Sequence, residues 1–361
     1  MSLDNVAFEV NKTDITNTQF VEAAAGKAES DGEVVLKIDK YALTANNVTY
    51  AVTGDILGYW RFFPTSEGWG RVPAMGFAEV VDSKCEGIDV GERVWGWFPM
   101  TGYLTIKAGK VSENGFSDIS DYREGLSPVY SRFERVTSNP FYDKSAEDYQ
   151  MLIKGLFTTS WLIDDFMADN QYFGSQQYII TSASSKTSLA LAFAVKARGE
   201  KLAIGLTSES RVEFVKSLDL YDQVLSYQDV GQLDSGIPSI VVDMAGSKQV
   251  LSNIHHHFTD NIKFSSRVGA THVSDLAQEL KLPGAEPTMF FAPHQVEKRS
   301  KEWGPDKLQL TIGKQLQKYI EFARNNIAIE YIKTPEALQQ SYLAVLSGNA
   351  DASKGLVVCN G

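Results

Sequence analysis

The chain has 361 residues, 43% of them hydrophobic, and a formal net charge of -11. Such a length and apolar content suffice for two domains with substantial cores and carry no signature of disorder. The acidic balance argues against nonspecific binding to nucleic acid or to an anionic membrane surface, so an anionic ligand has to be captured by local positive groups. Cys85 and Cys359, far apart in sequence, point to a reducing compartment and are too few for a structural zinc site. Met1-Ser2-Leu3-Asp4-Asn5 lacks a basic stretch leading into an apolar run, and no run reaches membrane-spanning length, so the protein is expected in the cytoplasm with no membrane partner.

From 33 to 142, short β-rich pieces such as Val34-Val35-Leu36-Lys37-Ile38, Ala78-Glu79-Val80-Val81 and Arg93-Val94-Trp95-Gly96-Trp97 are separated by Gly and Pro turns. They predict an all-β, barrel-like unit. From about 146 to 293, helical segments alternate with apolar strands, including Val224-Leu225-Ser226, Ile240-Val241-Val242-Asp243 and Met289-Phe290-Phe291. That alternation predicts a parallel sheet wound with helices. Beyond Trp303 the pattern predicts a helix over 308–325, a strand over 327–332, a helix over 335–347 and a last strand, Leu356-Val357-Val358. The expected organisation is therefore a barrel domain over 1–145, a nucleotide-fold domain over 146–300 and a segment over 301–361 that returns to the barrel.

Within the second domain, Gln177-Tyr178-Ile179-Ile180-Thr181 reads as a strand, and Ser182-Ala183-Ser184-Ser185-Lys186-Thr187 as a turn opening a helix over 188–197. A second strand follows at 201–205. A helix N-terminus presents N–H groups without intrahelical acceptors and the positive end of the dipole, so a pyrophosphate over this turn would be held largely by the backbone. Ser184, Ser185 and Lys186 stand where a dinucleotide fingerprint would carry Gly-x-x-Gly, and their side chains can donate to phosphate. An ordinary capped strand-to-helix turn is the alternative. After the second strand, Leu206-Thr207-Ser208-Glu209-Ser210-Arg211 offers hydroxyls and a cation in place of the carboxylate that holds an NAD ribose. This suits a 2′-phosphate, with Ser208 donating, Arg211 pairing as a fork and Lys186 adding a second charge. Ser208 as a helix N-cap is the competing reading. Ala245, Gly246, Gly269 and Thr271 fall at the carboxyl ends of later strands, where open α/β sheets bind ligands.

His255-His256-His257 is not a metal motif. Adjacent helical residues diverge by about 100°, whereas ligand pairs sit three or four apart. A solvated or partly packed helix is the expected reading. His272 and His294 follow predicted strands, and as candidates they compete with satisfied loop histidines.

The order of several motifs resembles the medium-chain dehydrogenase/reductase superfamily, in its zinc-free quinone-oxidoreductase-like and enoyl-reductase-like branch. Val72-Pro73-Ala74-Met75-Gly76-Phe77-Ala78-Glu79-Val80-Val81 looks like the Pro-x-x-Gly-x-x-x-x-Gly-x-Val region, and Gly91-Glu92-Arg93-Val94 like the Gly-Asp-Arg-Val turn. Gly155-Leu156-Phe157-Thr158-Thr159-Ser160-Trp161 is similar to the Gly-Leu-Thr-Ala-Trp helix start. Thr207 to Arg211, Lys216-Ser217-Leu218-Asp219 and Val224-Leu225-Ser226-Tyr227 follow the spacing of the Ser-x-x-Lys, Leu-Gly-Ala and Tyr-bearing segments. Lys354-Gly355-Leu356-Val357-Val358 resembles the final Gly-Lys-Val-Val strand.

The resemblance implies an α/β fold with a Rossmann-type doubly wound parallel sheet plus a GroES-like β-barrel domain. It implies NADP(H) as cofactor, with Ser182, Ser184, Ser185, Lys186 and Thr187 at the pyrophosphate. Thr207, Ser208, Arg211 and Tyr227 then lie at the 2′-phosphate end, and Ala245, Gly246, Gly269 and Thr271 beside ribose and nicotinamide. Thr159 is expected near the nicotinamide, as are Tyr41, Asn46, Asn47 and the aromatic segment from Leu57 to Pro64 in the barrel. Tyr59 is the positional match to a substrate-orienting tyrosine, and a neutral phenol can donate to a developing enolate oxygen. An aromatic cluster closing the barrel is the alternative for Tyr59, Trp60, Phe62 and Phe63. Asn46 replaces a tyrosine of acryloyl-type reductases, so that proton-donor pattern is altered. No His-Glu occurs at 75–78 and no cysteine at 43–47, which implies no catalytic metal. The expected reaction is hydride transfer to an activated double bond or quinone, on a small planar or apolar substrate held between the two folds. A non-catalytic nucleotide-sensing or partner-binding protein is the alternative. The long segment 103–137 is expected to form a lid or partner surface, and Met289-Phe290-Phe291 to pair edge to edge in a homodimer.

Overall fold

Strands with a buried inner face, punctuated by short turns, make the first part of the chain a closed sheet. The computed structural model describes residues 2–244, 246–268 and 281–361. In chain order come β1 (Val6–Asn11), β2 (Thr18–Glu22), β3 (Glu33–Leu43), helix α1 (Ala45–Val52), β4 (Trp69–Gly70), β5 (Ala74–Ser83), β6 (Arg93–Phe98), β7 (Tyr103–Ser112), β8 (Gly115–Asp118) and β9 (Arg132–Arg135). The pairing β3-β5-β6-β9-β8-β7 returns to β3, so six strands close into a barrel. Closure removes the free edges that an open sheet would present. The segment expected as a lid or partner surface thus supplies three barrel strands, β7, β8 and β9. Between β8 and β9 it carries two short 3-10 turns, Asp121–Arg123 and Pro128–Ser131.

The chain continues through α2 (Glu147–Asp169), β10 (Gln177–Ile180), α3 (Lys186–Arg198), β11 (Leu202–Thr207), α4 (Val212–Ser217), β12 (Gln223–Ser226), β13 (Ser239–Asp243), α5 (Lys248–Phe258), β14 (Ile262–Arg267), β15 (Pro287–Met289), α6 (Ala292–Trp303) and α7 (Pro305–Asn326). The six strands among the described residues of this unit are all parallel, in the order β12-β11-β10-β13-β14-β15. Numbered from β10, this is 3-2-1-4-5-6, the order of a dinucleotide-binding sheet, with its switch point between β10 and β13. Every residue of β10 and β13 is buried, because helices cover a parallel sheet on both faces. The α/β class expected, a Rossmann-type sheet plus a GroES-like barrel, is the class observed.

Finally β16 (Ala328–Ile332), α8 (Pro335–Leu346) and β17 (Lys354–Cys359) follow, and β17 pairs antiparallel with the upper part of β3. The chain divides into one unit of Met1–Leu152 with Ile327–Gly361 and a second of Ile153–Asn326. The division therefore falls at 327, where 301 was expected. The reason is aromatic: Tyr319 stacks on Phe157 at 5.2 Å and lies 5.0 Å from Phe193, which fixes α7 to α2 and α3.

In the first unit Glu147, 1% exposed, accepts from Arg93 Nε at 2.6 Å and Nη2 at 2.7 Å, and from the Tyr142 hydroxyl. Burial alone would raise its pKa, yet Arg93, Tyr142 and Lys40 together hold it below the ordinary carboxylate value. This partnership fixes the start of α2.

The three histidines of α5 diverge as helical geometry requires. His255 is fully buried, whereas a solvated or partly packed position was expected, with Nδ1 2.8 Å from the Pro283 carbonyl and Nε2 2.9 Å from Ser265 Oγ. His256 and His257 reach the carbonyls of Ser252 and Leu233 instead. The partners of His255 suit one neutral tautomer, Nδ1–H donating and Nε2 accepting, and burial lowers its pKa below 6.5. A base depressed in the folded state favours folding above its unfolded pKa. Its contribution therefore begins to be lost below about 6.5 and is lost as pH falls through the lower folded-state value. Urea unfolding of wild type and His255→Gln at pH 8 and pH 5.5 checks this: the wild type should lose more stability on acidification than the variant.

Candidate functional site

At the end of β10 the chain turns at Ser182, whose φ of 50° places a serine in the left-handed region favoured by glycine. Two contacts hold it there: its N–H donates to Tyr227 Oη at 3.0 Å, and its carbonyl accepts the Ser185 N–H at 2.7 Å. The buried Ala183 donates to the Leu206 carbonyl at 2.9 Å, and its own carbonyl accepts the Tyr221 hydroxyl at 3.0 Å. The turn lies so close to β11 that a Cβ on Gly205 would sit 2.9 Å from that of Ala183. Ser185 is the N-cap of α3. Its Oγ accepts the Ser188 N–H at 3.1 Å and donates to Ser188 Oγ, which donates onward to the Thr181 carbonyl at 2.8 Å. Ser185 thus builds the turn with both its hydroxyl and its N–H, a use that its position in a phosphate motif did not reveal.

Ser184, half-buried, accepts a long 3.4 Å bond from Thr207 Oγ1. Lys186 and Thr187 open α3. Beyond β11, Ser208 is exposed and its side chain caps no helix; its Oγ lies 3.4 Å from Ser210 Oγ. Arg211 closes the 3-10 turn Glu209–Arg211, and Glu209 faces solvent. The second unit therefore brings Ser182, Ser184, Thr207 and Tyr227 together by hydrogen bonds and sets Ser208 and Arg211 on the turn that follows the same strand. Tyr227, expected at the 2′-phosphate end, spends its oxygen on the Ser182 N–H.

Across the switch point, Thr181 Oγ1 donates to Asp243 Oδ1 at 2.8 Å and accepts the Met244 N–H at 2.9 Å. Gly246, with φ 70°, donates its N–H to the same carboxylate oxygen at 3.2 Å. Neither Thr181 nor Asp243 was singled out from sequence, although each closes an apolar strand with a polar residue. Ala245, Gly269, Thr271 and His272 lie outside the described residues. Thr159, expected at a helix start, sits in the middle of α2 because that helix opens at Glu147; its Oγ1 donates to the Gly155 carbonyl at 3.1 Å. Its neighbour Ser160 donates to the Thr187 carbonyl at 2.8 Å, so α2 is tied to the first turn of α3.

The barrel unit holds a separate polar feature within an aromatic cluster. Trp60, Phe62 and Phe63 are buried, as a barrel-closing cluster requires, while Tyr59 stays partly exposed. Tyr59 Oη is 3.0 Å from Tyr130 Oη, and the Tyr50 ring lies 4.5 Å from Tyr59 and 5.7 Å from Tyr130. Trp97 Nε1 donates to Tyr50 Oη at 3.3 Å, and Asn46 lies in the first turn of α1, four residues before Tyr50. Burial raises the pKa of Tyr59, and of Tyr50 and Tyr130 further, so all three remain neutral phenols near neutral pH. Tyr50 and Tyr130 were not anticipated. Tyr50 was readable as the i+4 neighbour of Asn46 on α1, whereas Tyr130 lies 71 residues from Tyr59 and no local pattern links them.

Two residues expected to face a ligand do not. Tyr41 is buried in β3, and Asn47 caps α1 by accepting the Thr44 N–H at 2.7 Å while donating to the Pro73 carbonyl at 2.7 Å. Among the described residues, no three His, Cys, Asp or Glu side chains gather in a way that could hold a metal. No described helix is long and apolar enough to cross a membrane.

A family model described as "Protein of unknown function (DUF2855)" matches residues 41–351. The chain belongs to the DUF2855 family. No curated protein sequence matches it significantly. Among solved structures, CurA from Vibrio vulnificus in complex with NADPH is 13% identical, with a TM-score of 0.60 over 96% of this chain and 94% of CurA. The yhdH oxidoreductase from Salmonella enterica in complex with NADP is 14% identical, with a TM-score of 0.58 over 98% and 99%. The CurK enoyl reductase is 14% identical, with a TM-score of 0.55 over 98% of each chain. These likenesses show that this DUF2855 chain shares the fold of those three proteins, the barrel and Rossmann-type sheet expected from its motif order.

The turn yields a paired expectation for urea unfolding. Tyr227→Phe removes the acceptor of the Ser182 N–H and should cost about 1–2 kcal/mol. Ser182→Gly relieves the left-handed serine and should gain about 1 kcal/mol. A less stable glycine variant would mean that the Ser182 hydroxyl, 3.5 Å from Tyr227 Oη, outweighs the backbone strain.

Proposed function

We propose that this chain binds NADP(H) in its second unit and acts as a zinc-independent reductase of an activated double bond or a quinone. The observation that carries the reading is the capped turn at the switch point of a 3-2-1-4-5-6 sheet, followed after β11 by hydroxyls and Arg211. That donor set fits a nucleotide bearing a 2′-phosphate. The first turn of α3 offers helix N-terminal N–H groups, Ser184, Lys186 and Thr187 supply side-chain donors, and Ser208 with Arg211 suits a phosphate dianion. Ser182, Ser185 and Tyr227 shape the turn, and Thr207 steadies Ser184. Thr159 and Gly246 flank this region, with Ala245, Gly269 and Thr271 assigned to the ribose and nicotinamide side. CurA and yhdH, whose crystal structures contain NADPH and NADP, support the choice of cofactor.

When bound, the dihydronicotinamide supplies a hydride, that is, one hydrogen with its electron pair, to an acceptor carbon, and water supplies the balancing proton. In this reading Tyr59 and Asn46 keep the catalytic roles that the resemblance implies, with the Tyr59 phenol as donor to an oxygen on which negative charge develops. The non-catalytic alternative is favoured by one feature: Ser182 and Ser185 spend their N–H groups, and Ser185 its hydroxyl, inside the turn. The reading extends to a homodimer, since β15 ends its sheet and Met289 and Phe291 are exposed at that edge.

Calorimetric titration with NADPH and with NADH separates the readings. NADPH should bind and NADH should bind far less tightly; Arg211→Ala should weaken NADPH by about tenfold or more with little change for NADH. Binding of neither cofactor would leave the non-catalytic reading standing. Light scattering on the purified protein should give the mass of a dimer, and a monomer at micromolar concentration would remove that proposal.

A further inference from the structure

The polar side chains of β14 divide by position along the strand. Near its start Lys263 donates to the Asp260 carbonyl at 2.8 Å, and in its middle Ser265 Oγ lies 2.9 Å from His255 Nε2. At its carboxyl end the hydrogen-bonding capacity is left over. Ser266 is 1% exposed and its Oγ has no partner; Arg267 is half-buried, and its Nε is buried without a partner. Among the described residues Arg267 makes no side-chain hydrogen bond and no ion pair. Side chains alternate along a strand, so Arg267 shares the face of Ser265, which α5 covers through His255, and Ser266 points to the other face. A cation withdrawn from water with nothing to compensate it is costly, and native structures keep few such groups.

The main chain at this cation is firmly placed. Asp243 and Arg267 are register partners in β13 and β14; the Val268 N–H donates to the Asp243 carbonyl and the Phe290 N–H to the Arg267 carbonyl, each at 2.9 Å. Asp243 spends Oδ1 on the Thr181 hydroxyl and the Gly246 N–H and forms no ion pair with its neighbour. Arg267 therefore stands at the carboxyl end of an open parallel sheet, where ligands bind. A dinucleotide with its 2′-phosphate at Arg211 and its pyrophosphate over the α3 turn brings its nicotinamide end toward β13 and β14. That end carries no acidic group, and β14 lies two strand spacings, about 10 Å, from the strand that leads into the pyrophosphate turn. The anion that answers Arg267 then belongs to a second ligand. Asp243 limits its charge, since a neighbouring carboxylate repels a dianion about twice as strongly as a monoanion. A flat carboxylate also matches the flat fork of a guanidinium.

We infer that Arg267 is a substrate-binding residue that pairs with the carboxylate of a small organic acid at the carboxyl end of β14. That this acid is the hydride acceptor rests on the reductase reading; the carboxylate site itself does not. On that reading the substrate is an unsaturated or quinonoid monocarboxylic acid, and Arg267 sets its specificity against neutral and dianionic analogues. Arg267 holds and orients the acid and takes no part in hydride or proton transfer.

The test uses the full chain and two redox-inert probes that differ only in charge, 3-phenylpropionate and 3-phenylpropanamide, titrated by ligand-observed NMR with and without NADPH. The acid should bind at least about tenfold more tightly than the amide. Arg267→Gln should erase that preference while leaving NADPH affinity in place, and Arg267→Lys should keep part of it, because the charge remains and the fork is lost. Removing the guanidinium deprives no described residue of a hydrogen bond or ion pair, so both variants should unfold in urea at the wild-type midpoint or above it. Equal binding of acid and amide, binding of neither, or an acid preference that survives Arg267→Gln would overturn the inference. So would an NADPH affinity that falls in Arg267→Gln as far as that of the acid, since the arginine would then serve the cofactor. Acid binding that depends on Arg267 in a protein that binds no NADPH would uphold the carboxylate site and remove the reductase reading instead.

Discussion

A single buried bond sits at the point where the direction of strand order reverses. Thr181 closes the first parallel strand of the second unit and Asp243 the fourth, and the hydroxyl of one donates to the carboxylate of the other. With Met244 and Gly246 also tied to this pair, the ends of both strands are fixed together. The turn at Ser182 departs from one of these fixed ends, so the start of α3 inherits its position from that bond. A carboxylate here also lowers the local positive potential, which the cationic side chains at 186 and 211 oppose.

The serine-rich turn shows how the same residues answer two demands. Glycines would let a ligand approach the main chain freely, but they would leave the turn to be organised by its surroundings alone. Here Ser185 and Ser188 supply internal bonds, and Tyr227 supports a serine in a conformation that glycine adopts without strain. Donors used in this way are unavailable to a ligand. Recognition of an anion then depends more on helix N–H groups and on side chains at 184, 186, 187, 208 and 211 than it would in a glycine-rich loop.

Much of this is legible in the sequence. The alternation of β-rich and helical segments and the order of weak motifs gave the two folds, because burial patterns are local and recur along the chain. The turn at 182–187 was legible for the same reason. What escaped was held by partners distant in sequence. Tyr130 meets Tyr59 across 71 residues, Thr181 meets Asp243 across 62, and Glu147 opens α2 because Arg93, 54 residues earlier, holds it. No cap or periodic signal marks such contacts. The boundary at 327 was missed because α7 is bound by aromatic stacking on α2 and α3, and a helix pattern does not name its neighbour.

The barrel unit is assembled from both sides of the nucleotide fold, since β17 at Lys354–Cys359 pairs with β3 at Glu33–Leu43. During synthesis the contiguous second unit is fully emerged while the upper part of β3 still lacks that neighbour. Until residues 354–359 leave the ribosome, Tyr41, Ala42 and Leu43 offer an unpaired strand edge to whatever is at hand, including another nascent copy. The order of translation therefore exposes one half of this protein for longer than the other, and it is the half that carries the bonded pair Tyr59 and Tyr130.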